Sequence, residues 1–457
     1  MLKQTACGFG SLAMTGLLGA ESGEVPLAPR AGHRSARAKR VIFLWMQGGP
    51  SQVDSFDYKP ELQKRSGEKV EVHAARTAQM EERRLYGSPW DFRPHGQSGH
   101  LVSELFPHLA NHVDDLCFLH GMQTEGVAHG PASLFLHTGA TNLIRPSMGS
   151  WILYGLGAEN DNMPGFIAIN PPATKGGPRN YGPAFLPADY QGTAIGRVGV
   201  PAEKAGIAHL NNHHLTSAQQ QHQFDLLQNL NRHQIGRGPG DAELESVLRS
   251  YELAFRMQTA APEIMDLSGE SEATKKLYGI GEKATDGYGR QCLLARRLAE
   301  SGVRYIQVNY SDNKATPMWD QHSNLPEHAK HAKATDQPVA GLLTDLKARG
   351  LLEDTIVWWG GEFGRTPYAQ GKNGRDHNPR GFTVFLAGGG FKPGVRHGEL
   401  DEFGYEAVSG KVHMHDLHAT ILHQLGLDHE RLTYRYAGRD FRLTDVAGNV
   451  VGEAIKS

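Results

Sequence analysis

The chain has 457 residues, with Lys+Arg 47 against Asp+Glu 49 and a formal net charge of -2, a balance that gives no electrostatic footprint for nucleic acid. A hydrophobic fraction of 39% and a charged fraction of 21% fit an ordinary soluble protein, and three cysteines (Cys7, Cys117, Cys292) do not make a disulfide framework. Histidine is frequent at 24 residues, and imidazole is the commonest metal ligand, although any one histidine taken alone reads as surface or core.

Lys3 precedes an apolar, Gly- and Ala-rich run over 6–20 with a small-residue exit at Leu18, Gly19 and Ala20. This is the pattern of a secretory signal over 1–22, too short and too Gly-rich for a stable membrane span. Residues 5–10 resemble the stretch after a twin-arginine motif, with no Arg pair before them. A buried N-terminal helix is the competing reading. Residues 23–40, rich in Pro, Ala, Arg and Lys, read as a linker. The expected location is periplasmic or extracellular.

Short apolar runs bounded by Gly, Pro or His predict buried strands at 41–46, 116–119, 164–169, 303–308, 355–359 and 383–387. Helical patterns fall over 243–257, 290–300, 336–349 and 416–425. Residues 172–240 read as an irregular insertion within one domain over 41–445, and 446–457 as a tail. Strands alternating with helices predict a mainly parallel sheet with helices on both faces.

Ligands of such sheets sit beyond the carboxyl ends of the strands. Asp54 follows the first predicted strand, and His120 and His129 the second. Asp320 and His322 follow the fourth and Glu362 the fifth, while His377 precedes the sixth. Asp320 and His322, two residues apart, project to one side of an extended segment. Carboxylate plus imidazole suits zinc or manganese, and a surface Asp–His pair is the bland alternative. Glu362 leaves its strand among glycines, which let backbone approach a ligand closely. Arg365 has the fork to clamp an oxyanion, or simply to pair with a carboxylate. Asp376 is placed to orient His377 from behind. His413 and His415 precede the last helix and either support the site or cap and pack.

The phrases around these residues resemble a known family. His377 with the strand and Gly-rich turn after it, and the helix from Asp416, are similar to the alkaline-phosphatase and sulfatase superfamily. Residues 129–139 line up with the sulfatase nucleophile signature. More closely, the chain resembles a family of exported bacterial proteins of unknown function grouped with those enzymes. The shared phrases are 47–51 with Asp54, 145–151, 319–322, 361–367 and 374–379. The resemblance implies an alkaline-phosphatase-like three-layer sandwich and one or two divalent metal ions (zinc, manganese or calcium). It places Asp320, His322 and His377 at one metal position, Asp54 and Glu362 at another. It also implies a phosphate or sulfate ester as substrate, small or polysaccharide.

The departures are specific. His129 stands where the sulfatase nucleophile belongs and cannot become formylglycine. Glu362-Phe363 replaces an Asp-His metal pair. Thr124 or Ser133 could supply a hydroxyl nucleophile, and His129 could be ligand or nucleophile. Two readings compete: a metal-dependent hydrolase of phosphate or sulfate esters outside the cytoplasm, and a non-catalytic binding or scaffold protein on the same fold.

Overall fold

The computed structural model describes residues 27–73, 80–207, 214–235 and 242–456. The signal-like segment over 1–22 and part of the predicted insertion lie outside them. The main sheet uses β1 (Arg40–Met46), β2 (Leu116–Gln123), β3 (Phe166–Ile169), β4 (Thr193–Ile195), β5 (Tyr305–Tyr310) and β6 (Thr355–Gly360). After these come a hairpin of β7 (Gly364–Gln370) and β8 (Gly374–Asn378), then β9 (Phe382–Ala387), β10 (Arg396–His397) and β11 (Val412–His413). The order across the sheet is β10-β2-β9-β6-β1-β5-β3-β4, with β11 on β2. The run β6-β1-β5-β3-β4 is parallel, and β9 is antiparallel to both its neighbours.

Every residue of β1 is buried, as expected for a parallel strand covered on both faces. Ile42, Leu44 and Met46 face one apolar core with the helices Asp286–Glu300 and Glu327–Ala348. Val41, Phe43 and Trp45 face a second, with α1 (His129–Thr138), α2 (Met148–Leu156) and the helix Met414–Gln424. The two cores on opposite faces make the expected mixed α/β sandwich with a mainly parallel central sheet. No helix among the described residues is long and apolar enough to cross a membrane.

Three stretches at the expected boundaries contribute to the fold. The described part of the linker is packed: Ala38 is buried, and the Arg37 and Ala38 amides donate to Gln424 O. The tail is packed too, since Val451, Ala454 and Ile455 enter the second core and Ile455 bridges to Phe391. The predicted insertion contributes β4 to the sheet edge and a helix, Ser217–Ile235. Ala38, Ile195 and Val451 show that apolar residues too few to make a visible period still find a core to enter.

A candidate metal centre at the carboxyl edge of the sheet

β1 ends in a sharp turn at Gly48 and Gly49, both with positive φ, at +109° and +77°. A Cβ on Gly48 would lie 2.7 Å from Trp319 N and 2.8 Å from Asp320 N. Only glycine lets the loop after β5 lie this close to the end of β1. The Trp319 amide donates to Gln47 O at 3.1 Å, pinning that loop. Gly374 supports it from the other side, where a Cβ would stand 2.0 Å from His322 C. The backbone therefore fixes where Asp320 and His322 stand.

His129 is the first residue of α1, and His377 lies on β8. One ligand atom from each of His129, Asp320, His322 and His377 falls within 4.8 Å of the others, so the group can hold a metal ion. The three Nε2 atoms converge on one carboxylate. His129 Nε2 is 3.0 Å from Asp320 Oδ2, and His322 and His377 Nε2 lie 2.8 and 3.0 Å from Oδ1. Each Nδ1 is backed by an acceptor pointing away from the centre. His129 Nδ1 donates to Glu362 Oε1 at 2.7 Å, His377 Nδ1 donates to Val127 O at 2.7 Å, and His322 Nδ1 donates to Gln370 Oε1.

That arrangement fixes the tautomers. With Nδ1–H turned outward, three Nε2 lone pairs face the Asp320 oxygens. Acceptors at this separation repel unless a cation or protons lie between them. Three imidazoles and one carboxylate make a donor set that suits zinc and comparable divalent ions, whereas calcium prefers oxygen ligands throughout.

With protons rather than a cation between the nitrogens and Asp320, the same contacts set the titration of the group. Burial opposes the charge on Asp320, but hydrogen bonds from His129, His322 and His377 and the Arg365 charge hold its carboxyl far below the carboxylate range. Burial also opposes protonation of His129, yet its bonds to Asp320 and Glu362 outweigh that and raise its pKa. His377 is pushed down to about 4 by burial, against its bond to Asp320, with Arg365 and His129 adding to the lowering. His322, with its side chain 28% exposed, is the member open to solvent.

The remaining expected site residues stand elsewhere. Asp54 is fully buried in a two-pronged ion pair with Arg375, at 2.7 and 3.1 Å, and also accepts from the Ser51 hydroxyl. Glu362 lies behind His129. Its Oε1 also accepts the Gly48 amide at 2.9 Å and its Oε2 the Trp45 indole at 3.1 Å. Both carboxylates are occupied by protein donors, so the second metal position expected from Asp54 and Glu362 is not assembled.

Arg365 is fully buried. It donates to Gly49 O, Gly48 O, Arg375 O and Asp320 Oδ1, which leaves no free edge for an oxyanion. Its effect is to hold Asp320 in place. The His377 ring is backed by Val127 O, while Asp376 accepts the His377 amide at 2.8 Å and lies 3.7 Å from His322 Nδ1. His413 is the N-cap of the last helix, and His415 Nε2 donates to Gly139 O at 3.0 Å. His418 Nε2 likewise donates to Leu136 O at 2.8 Å. These two imidazoles clamp the carboxyl end of α1, the helix that starts at His129. Thr124 lies at the end of β2, outside the group, with its hydroxyl 3.4 Å from Glu125 O. Sequence reasoning missed Gln370 and Val127 as backing acceptors. A carbonyl carries no side-chain signal, and Gln370 becomes visible only once β7 and β8 are paired.

Fold and site together define a mixed α/β protein with a metal-type His/Asp group at the carboxyl edge of its parallel strands. The chain belongs to the family described as "Protein of unknown function (DUF1501)", which matches residues 38–455. No curated protein sequence matches it. Among solved structures it is similar to the lipoteichoic acid synthase LtaP from Listeria monocytogenes, at 9% identity over 93% of this chain and 79% of that one, with a TM-score of 0.40. It is similar also to the PsFucS1 sulfatase from Pseudoalteromonas sp., at 10% identity over 86% and 68% of the two chains and a TM-score of 0.36. A protein in the alkaline phosphatase superfamily from Vibrio parahaemolyticus matches at 9% identity over 88% and 70%, with a TM-score of 0.36. Likeness at this level carries no argument about substrate or reaction.

Proposed function

We propose that the protein is an exported hydrolase of phosphate or sulfate esters that uses one divalent metal ion, held by His129, Asp320, His322 and His377. The observation that carries this reading is the convergence of three Nε2 atoms on the Asp320 carboxylate, each ring backed at Nδ1. Backing of this kind is how proteins orient metal-ligating imidazoles. The ester class rests on the sequence resemblance, and export on the signal-like segment.

A divalent ion in this group supplies Lewis acidity toward an ester oxygen. The chain's own residues do the positioning. Arg365 holds Asp320, Glu362 holds His129, and the clamp on the carboxyl end of α1 holds the helix that carries His129. His322, the open member, marks the side from which substrate reaches the group. Neither candidate hydroxyl is presented with a base beside it: Ser133 is fully buried with its Oγ unpartnered, and Thr124 stands apart. Attack by water therefore fits better than a covalent serine or threonine step.

That same missing nucleophile favours a second reading, a metal-binding protein without turnover. An ester panel on metal-loaded protein separates the two. Turnover lost in Asp320→Ala supports the hydrolase. Metal bound stoichiometrically with no ester cleaved supports the binding protein.

A further inference from the structure

A cleft of about 1360 Å³ opens at the carboxyl end of β5, next to the loop that carries Asp320. Asn309, Tyr310 and Ser311, at the end of β5, line it, as does Met318, two residues before Asp320. Tyr310 packs on Trp319 with ring centroids 6.3 Å apart, so the cleft shares a wall with the Asp320 loop. Its floor is amphipathic. Tyr288 lines it, almost wholly buried, and so does Gln291, whose Oε1 is unpartnered.

The rim carries the charge. Lys276, Lys283, Lys330 and Lys333 all line the cleft. Lys330 reaches Glu327 at 3.4 Å, and among the described residues the other three have no ion pair. The carboxylates facing them are fewer. Glu104, Glu282 and Asp336 line the cleft, three carboxylates against four lysines, with Asp336 accepting the amides of His108 and Leu109, each at 2.8 Å. A chain of net charge -2 thus places an excess of lysine, three of them unpaired among the described residues, on one cleft next to the loop that carries Asp320. Cations concentrated at a low-dielectric wall focus potential on whatever enters.

We infer that this cleft binds a polyanionic chain, one carrying anionic groups beyond the ester presented to the metal group. The inference deepens the proposed function and rests on it for the direction in which the chain is threaded. The binding itself does not require turnover. An uncharged polymer gains nothing from the lysine rim, and a monoanion engages one lysine at most. Several anionic groups along one chain engage the rim together while the amphipathic floor takes the chain's less polar face.

The test is equilibrium binding of sulfated dextran oligomers, with uncharged dextran of matched length as reference, to the full metal-loaded protein. The variant is Lys276→Glu with Lys283→Glu and Lys333→Glu. The control reverses three lysines elsewhere, Lys64→Glu, Lys69→Glu and Lys347→Glu, for the same change in net charge. The inference expects salt-sensitive binding of the sulfated oligomer only, weakened about tenfold or more in the rim variant and little in the control. Metal content and circular dichroism are measured on every variant, so a folding defect is seen as such. Equal binding of uncharged dextran, equal loss in the control, or undiminished binding by a folded rim variant would overturn it. Failure of the hydrolase reading shows separately, as absent metal or absent turnover with the binding intact.

Discussion

His129 Nδ1 and Glu362 Oε1 lie 2.7 Å apart, with the carboxylate fully buried and bonded also to the Gly48 amide and the Trp45 indole. Glu362 thereby sets the tautomer of His129 and turns its Nε2 toward Asp320. Glu362→Gln keeps the shape and removes the charge. Loss of such backing costs metal affinity about 10–100-fold, with the fold retained. Competition against a chelator of known affinity measures it, and unchanged affinity would deny Glu362 this role.

The Asp54–Arg375 pair predicts a different signature. Both side chains are fully buried, so removing one charge strands the other. Asp54→Asn is expected to destabilise the protein by about 3–5 kcal/mol, and the double change with Arg375→Met by less than the sum of the two. Denaturant unfolding reads both. Whatever folded Asp54→Asn protein remains should bind metal normally, because Asp54 is not a ligand. A specific loss of metal at unchanged stability would restore Asp54 to the metal shell.

Gly374 has no room for a side chain against His322. Gly374→Ala should push the loop over 319–323 outward and weaken metal binding more than it weakens the fold. A variant with full metal affinity would mean the loop yields without moving His322.

Four buried imidazoles predict an acid-sensitive fold. Burial pushes His100, His120 and His418 down to about 3 and His137 to about 4. These groups are neutral when folded but take up protons when unfolded, below the ordinary histidine value of about 6.5. The unfolded state binds more protons between about 3 and 6.5, so stability is full above that window and falls as pH drops through it. Thermal unfolding from pH 7 to pH 4 should show a falling midpoint, and His418→Gln, which keeps a donor for Leu136 O, should flatten the slope. A midpoint as high at pH 4 as at pH 7 would contradict the assignment.

Much of the frame was legible because it is written in consecutive residues. The apolar runs at 41–46, 116–119, 303–308 and 355–359 became buried strands, and Asp320, His322 and His377 were marked as residues at strand ends. The partners of those residues were not legible. Arg375 is 321 positions from Asp54, and only the folded chain shows that it occupies that carboxylate. Glu362 was expected as a ligand because an acid beside a strand end serves equally as ligand or as support. Which one it becomes depends on whether Trp45, Gly48 and His129 reach it first. The hairpin of β7 and β8 carries no strand signal, since its strands are held by pairing such as Arg365 with His377 and not by an apolar period.

The central claim is one metal ion in a His/Asp group. Elemental mass spectrometry on untagged protein, purified without chelators, tests it most directly, with His377→Ala alongside. The account predicts about one equivalent of a divalent transition metal in the parent protein and a clear loss in the folded variant. A parent protein that carries no metal and takes none up, or a variant with undiminished metal, would contradict it.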